Sequence, residues 1–189
     1  MNVPNFRKID LITYKPGRSL LSSKKKVIKL SANESAFGAG GRVRNILKNR
    51  NNNISKYPDS KFKRLIETIS KKFNLNKEKI ICGAGSDEIL NLIACAYLMP
   101  GDEVVYSEHA FLLYKIITLT NNGTPIAAKE VGLKANIENI INCVTKKTKI
   151  VFIANPNNPT GSYLNKNELY ELRDRLPERV LLVIDGAYA

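Results

Sequence analysis

The sequence predicts an α/β protein, a mostly parallel sheet with helices on both faces, and three observations carry that prediction. From residue 60 onward, segments with helical periodicity alternate with short apolar runs. Two of those runs, 150–154 and 180–184, are apolar throughout, as strands covered on both faces are. Glycine, proline and asparagine turns separate the runs at the spacing of repeated strand–helix–strand units.

The elements follow in order. Phe62, Leu65, Ile66, Ile69 and Phe73 recur at helical spacing behind the start signal Pro58-Asp59-Ser60. Residues 79–82 read as a short strand, followed by a glycine turn and a helix over 87–98 that Pro100-Gly101 ends. Residues 103–106 read as a strand, 111–120 as a helix stopped by Asn121-Asn122-Gly123, and 125–128 as another short strand. Asn136 caps a helix with Ile137, Ile140, Ile141 and Val144 on one face. After the 150–154 strand, Asn165 and Glu168 have capping-box spacing for a helix that runs through Leu176. Residues 1–50 differ in character and read as an N-terminal arm, linker and start of a small domain, with 49–53 a polar loop. Residues 51–189 read as part of a large domain.

In a parallel sheet of this kind, ligands bind where loops leave the carboxyl ends of the strands. Those loops are 83–87, 107–111, 155–161 and 185–188, and their convergence predicts a site before any motif is considered.

Composition narrows the function. The chain has 189 residues, 30 basic and 17 acidic, for a net charge of +13. Nucleic acid is nevertheless not expected, because the basic residues spread along the chain and cluster only at Lys24-Lys25-Lys26 and Lys146-Lys147, without interleaved aromatics. The odd number of cysteines, Cys82, Cys95 and Cys143, forms no C-x-x-C pair and reads as buried reduced thiols. One histidine, His109, leaves no His-based zinc cluster, and no metal is expected. Pro4, Arg7, Lys8 and Asp10 interrupt any signal-peptide core, and no apolar run reaches membrane-spanning length. A cytoplasmic protein is expected, with neither membrane nor nucleic acid as partner.

Three motifs sit on the converging loops. Gly83-Ala84-Gly85-Ser86-Asp87-Glu88 lies between a strand and a helix, where glycines admit a ligand close to the backbone and the helix start favours an anion such as phosphate. On its own it is equally a tight turn with Ser86 or Asp87 as a cap. Glu88 stands where a dinucleotide fingerprint has its third glycine, and no Gly-Lys-Ser/Thr ending makes a Walker loop. Asn155-Pro156-Asn157-Asn158-Pro159-Thr160-Gly161 follows a buried strand, with prolines to stiffen it and asparagine amides to turn into the cleft. Asp185-Gly186-Ala187-Tyr188 places a carboxylate at the end of a buried strand, where it needs a partner. A cationic heterocycle, a metal or a helix amide would each serve.

Taken together, G-x-G-S-D-E, N-P-N-N-P-T-G and D-x-A-Y resemble the fold-type I, class I and II aminotransferases, which use pyridoxal 5'-phosphate. Ser31-Ala32-Asn33-Glu34, Tyr57-Pro58-Asp59 and His109-Ala110-Phe111-Leu112-Leu113-Tyr114 resemble the histidinol-phosphate branch of that family. The resemblance spans essentially the whole chain in the expected order. It implies the large domain of that fold, incomplete at the carboxyl end. It implies that Asp185 pairs with the protonated pyridine nitrogen, that Asn158 and Tyr188 bond the ring's phenolic oxygen, and that Phe111 stacks on the ring. Gly85, Ser86 and Asp87 would hold the phosphate, with Tyr57 reaching the cofactor of a second subunit in a homodimer. Tyr14 and Asn33 would touch substrate.

The implied reaction moves an amino group between glutamate and imidazole-acetol phosphate in histidine biosynthesis, with histidinol phosphate and 2-oxoglutarate as the reverse pair. The branch also suggests an aromatic transaminase or a threonine-phosphate decarboxylase as alternatives, and a non-catalytic remnant as a third. Two departures stand out. Asn33-Glu34-Ser35-Ala36 replaces the commoner Asn-Glu-Asn-Pro, and His109-Ala110 replaces Pro-Thr. The family's catalytic lysine lies beyond D-x-A-Y, so these 189 residues are expected to supply the cofactor's cradle, to bind it weakly and not to turn over. An open sheet edge and poor solubility are expected with it.

Overall fold

A computed structural model describes residues 9, 11, 30, 32–48 and 55–189. The chain divides into two compact units, one of 13–81 and one of 1–12 with 82–189.

In the smaller unit, helix α1 (Gly41–Lys48) is an element the sequence reading assigned to the linker. Its signal was present in Val43, Ile46 and Leu47 at helical spacing, but all three are exposed and no cap marks its start. Helix α2 (Lys63–Phe73) begins as Pro58-Asp59-Ser60 suggested, with the Asp59 carboxylate accepting from the N–H groups of Lys61 and Lys63 at 3.0 Å each. Phe62 lies before the helix in a left-handed conformation, φ 48°, rather than on its apolar face. The readings for 49–53 and for Tyr14 fall outside the described residues.

The expected strand at 79–82 does not form. Residues Lys77–Lys79 make a single 3-10 turn capped by the Asn76 side chain, and the chain then runs on without a ladder. Ile80 and Ile81 are too short an apolar run to hold a strand without a hydrogen-bonded neighbour, and Ile81 is exposed.

The larger unit is the α/β layer structure expected from the repeats. Helix α3 (Ser86–Tyr97) leads to strand β1 (Glu103–Ser107), helix α4 (Leu113–Thr120), strand β2 (Thr124–Ala128), helix α5 (Ile137–Asn142) and strand β3 (Thr148–Ala154). Helix α6 (Lys166–Arg175) and strand β4 (Leu181–Asp185) complete it. The four strands are all parallel in the order β2-β1-β3-β4.

Period-two alternation sorts the strand side chains onto two faces. Val104, Tyr106, Ile150 and Phe152 pack on one side with Leu90 and Ala94 of α3, Leu98 just after it, and Tyr114 and Ile117 of α4. Val105, Val151 and Ile153 pack on the other with Ile140 of α5 and Leu172 of α6. Each such large buried side chain contributes about 1.5–3 kcal/mol of transfer free energy. Both faces of β3 are therefore closed, which is why 150–154 carries no polar residue. Strand β4 has a neighbour on one side only.

Helix α6 starts on the capping box that the spacing announced. The Asn165 side chain accepts from the N–H groups of Asn167 and Glu168 at 2.9 and 3.1 Å, and Glu168 accepts from the Asn165 N–H at 2.7 Å. Replacing Asn165 by alanine is expected to lower stability by about 1 kcal/mol. A urea denaturation midpoint that does not move would show that the cap contributes nothing.

All three cysteines are free, but they are not uniformly buried. Cys95 of α3 is exposed, its thiol donating to the Asn121 side-chain oxygen at the end of α4 at 3.0 Å. No helix among the described residues is long and apolar enough to cross a membrane.

Candidate active site

The carboxyl ends of β1, β3 and β4 open toward the N-terminus of α3, and one cavity collects residues from all four. It is lined by Ser86 and Asp87 at the start of α3, Phe111 after β1, Ala154, Pro156 and Asn158 at the end of β3, and Asp185, Ala187 and Tyr188 at the end of β4. Six residues singled out in the sequence thus meet in one place, although the first and last of them, Ser86 and Tyr188, are 102 positions apart in the chain.

Register explains the meeting of the last two loops. Ala154 pairs with Asp185, and the Asn155 N–H donates to the Asp185 carbonyl at 2.9 Å. The 155–161 loop then divides its three asparagines between two tasks. Asn155 is turned back to hold the loop, exchanging hydrogen bonds with the Leu164 backbone at 3.0 and 2.7 Å. Asn157 is buried within it, its amide nitrogen donating to the His109 carbonyl and the Thr160 hydroxyl. Of the three, only Asn158 lines the cavity. The peptide bonds before Pro156 and Pro159 are both cis.

Asp185 finds part of the partnership that burial demands inside the chain. Its Oδ2 accepts a hydrogen bond from the Tyr114 hydroxyl at 2.9 Å, and its Oδ1 one from the Ala187 N–H at 3.1 Å. Tyr114 is wholly buried, stacked on Phe152 with ring centroids 4.9 Å apart and edge-on to Phe111 at 6.2 Å. Burial first, then the charge of Asp185 and the hydrogen bond to it, push the Tyr114 hydroxyl far above its ordinary pKa. The hydroxyl therefore stays a donor to the carboxylate at any working pH.

The turn before α3 depends on two glycines. Gly85 has φ 92° and ψ 176°, a conformation essentially confined to glycine, and supplies no side-chain cap to the helix. A Cβ at Gly83 would stand 2.7 Å from a carboxylate oxygen of Glu88, which itself accepts from the Ala84 N–H at 2.5 Å. With Gly85 at the cap position, the helix start is left to whatever fills the cavity beside Ser86 and Asp87.

Tyr57 and Asn33 belong to the smaller unit, where both are exposed. Tyr14 is outside the described residues. The larger unit carries a second concavity, roomier than the one that gathers the motif residues. It measures about 1030 Å³ and runs beside the open edge of β4, lined by Leu164, Leu169, Tyr170, Leu182 and Ile184 among others. It is mostly apolar and gathers none of the motif residues except Asn155.

The family profile of the class I and II aminotransferases matches residues 25–189. The chain belongs to the class I and II aminotransferases. Among curated relatives, it is 51% identical over 188 residues to a histidinol-phosphate aminotransferase of Pelagibacter ubique (strain HTCC1062), covering 100% of this chain and 52% of that protein. It is 45% identical to a histidinol-phosphate aminotransferase of Rhodopseudomonas palustris (strain TIE-1), covering 99% and 52%. The chain spans about half the length of the curated relatives it matches. Among solved structures, the histidinol-phosphate aminotransferase from Sinorhizobium meliloti in complex with pyridoxal-5'-phosphate superposes with a TM-score of 0.79 at 26% identity, over 83% of this chain and 43% of that one. An aspartate aminotransferase from Rhizobium meliloti shares the fold, with a TM-score of 0.70 at 24% identity over 86% and 44%.

For a class I/II aminotransferase, sequence reasoning missed Tyr114 as the hydroxyl that holds Asp185. The signal was a tyrosine in an otherwise apolar helix stretch, one turn after Phe111, whose buried hydroxyl had to find an acceptor.

Proposed function

We propose that this chain forms the cofactor cradle of a pyridoxal-phosphate-dependent histidinol-phosphate aminotransferase. The observation that carries the reading is the Asp185 carboxylate, held by Tyr114 at the end of a buried strand and opening into the cavity that Phe111, Asn158 and the α3 start also line. Pyridoxal phosphate presents a ring N–H, an aromatic face, a phenolic oxygen and a phosphate, and the lining offers a complementary group to each. Bound there, it supplies an electron sink for the bond broken at an amino acid's α carbon.

The chain's own residues do the holding. Asp185 accepts the ring N–H and keeps that nitrogen protonated, because its negative charge favours the cation. Phe111 orients the ring by contact with its face. Asn158 and Tyr188 donate to the phenolic oxygen, and the backbone at Gly85, Ser86 and Asp87 receives the phosphate at the helix N-terminus, where N–H groups and the macrodipole favour an anion. Asn33 and Tyr14 contact substrate, and Tyr57 reaches the phosphate held by a second copy in a homodimer. The exposed apolar side chains of the smaller unit, Val43, Ile46, Leu47 and Leu65, together with the exposed Tyr57, support such a dimer. Histidinol phosphate and glutamate with 2-oxoglutarate are the proposed substrates, and the cytoplasm the compartment, in keeping with a biosynthetic role and three free thiols.

Two measurements test this. Pyridoxamine 5'-phosphate, which needs no covalent bond to the protein, is expected to bind the 189-residue chain saturably, one per chain, in competition with pyridoxal phosphate. No saturable binding would remove the cofactor reading. Protein isolated from its native locus and supplied with pyridoxal phosphate is expected to transaminate histidinol phosphate faster than phenylalanine; the opposite ranking would make it an aromatic transaminase.

A further inference from the structure

A second buried carboxylate stands behind the site, and nothing above gives it a task. The Glu130 side chain, just after β2, is 3% exposed. It accepts hydrogen bonds from the Ser107 hydroxyl at 2.5 Å, the His109 N–H at 3.1 Å and the His109 ring nitrogen Nδ1 at 3.0 Å. All three donors lie at the start of the loop that ends in Phe111. The same loop is tied onward, since the His109 carbonyl accepts from the Asn157 amide at 3.3 Å, and Asn157 also donates to the Thr160 hydroxyl at 2.9 Å. Thr160 in turn meets the Ser162 hydroxyl, which donates to the Leu133 carbonyl three residues beyond Glu130. The circuit therefore closes, from the 130–133 segment through the Phe111 loop to the Asn158 loop and back.

We propose that Glu130 is a positioning residue for the cofactor site, fixing the Phe111 loop and, through His109 and Asn157, the Asn158 loop against one another. The inference rests on the cofactor reading above. A loop that leaves a strand end has few neighbours to fix it, and a buried carboxylate bonded three times to residues two and four places before Phe111 removes that freedom. Burying the carboxylate carries a desolvation cost, which its three donors offset. The hydrogen-bond partners of Glu130, Ser107 and His109, are not among the residues lining the cavity, so its effect runs through the loops.

The test is a titration of the 189-residue chain with pyridoxamine 5'-phosphate, read by binding affinity and by the induced circular dichroism of the bound ring. Glu130→Ala is expected to weaken binding about tenfold and to change the induced dichroism, because the ring's aromatic wall is no longer fixed. Glu130→Gln, whose amide oxygen still accepts from the Ser107 hydroxyl and the His109 N–H that share Oε1 but loses the charge and the Oε2 partner of the imidazole, is expected to fall between the two. Lys134→Ala breaks a 2.6 Å ion pair with Glu168 next to the same segment and is expected to leave both readouts unchanged. A folded Glu130→Ala chain that binds within twofold of the unsubstituted one, with the same dichroism, overturns the proposal. If that variant does not fold, His109→Ala decides, because the half-exposed imidazole is not part of the core. An unchanged affinity there overturns the proposal, and a loss of threefold or more with altered dichroism upholds it. Absence of binding by the unsubstituted chain would bring down the cofactor reading and this inference together.

Discussion

Replacing Asp185 by alanine is expected to weaken pyridoxamine phosphate binding by on the order of 100-fold and to cost the ligand-free chain about 1–3 kcal/mol of stability. The two effects have separate origins. Affinity falls because a ring cation loses the charge that compensates it in a site partly closed to water. Stability falls because the Tyr114 hydroxyl, wholly buried, loses its acceptor and no other carboxylate of the cavity is bonded to it. Asp185→Asn separates them, since an amide oxygen still accepts from Tyr114 while the charge is gone. The asparagine variant should therefore approach the parent in urea denaturation and the alanine variant in ligand titration. If both variants bind as the parent does, Asp185 does not face the ring nitrogen.

Phe152→Ala is expected to destabilise the chain by about 3–5 kcal/mol, which is a large part of a domain's whole stability. Phe152 is fully buried on the central part of β3, between α3 and α4, so the cavity left behind cannot collapse easily. Its ring also supports Tyr114 face to face, and Tyr114 supports Asp185. The loss should therefore spread to ligand affinity at temperatures where the variant is still folded. Leu172→Ala makes the informative comparison. Leu172 is as deeply buried, but it belongs to the opposite face of the sheet and has no such path to Asp185. Its expected cost in stability is about 2–5 kcal/mol, with affinity retained. Chemical denaturation monitored by circular dichroism, beside a ligand titration at low temperature, distinguishes the two. An equal loss of affinity in both variants would show that the site responds to overall stability rather than to the Phe152–Tyr114–Asp185 column.

How far these features were legible in the sequence follows from how local their causes are. The sheet strands were legible because short apolar runs mark them, unbroken at 150–154 and 180–184, and α6 because a capping box is written within four positions. The converging loops were legible because a parallel sheet places all its carboxyl ends on one edge. The strand expected at 79–82 failed for the complementary reason: Ile80 and Ile81 have strand-like side chains, but a ladder needs a neighbour, and no local pattern announces one. Helix α1 was missed because it is short, begins among the glycines of 38–41 and has no polar cap residue before it. In the site, Asp185, Asn158 and Phe111 could be found because each lies in a recognisable motif. Tyr114 and Glu130 could not, because their roles consist of partners 71 and 23 residues away. The motif showed three asparagines alike, and only the packing of the loop separates Asn158, which faces the cavity, from Asn155 and Asn157, which hold the turn.

The strand order β2-β1-β3-β4 has a consequence for how the protein comes into being. As the chain leaves the ribosome from its amino end, β2 is added beside β1, β3 on the free side of β1, and β4 outside β3. Each of these four strands arrives at an edge, and none of the four has to be inserted between two that are already paired. The sheet can thus grow by accretion, with each intermediate a smaller version of the final layer rather than a structure that must reopen. Asp185 stands at the end of β4, the last of these four strands in chain order. Until β4 is made, Tyr114 lacks the Asp185 carboxylate and the cavity lacks Asp185, Ala187 and Tyr188 from its lining, so these loops come together only once β4 is in place.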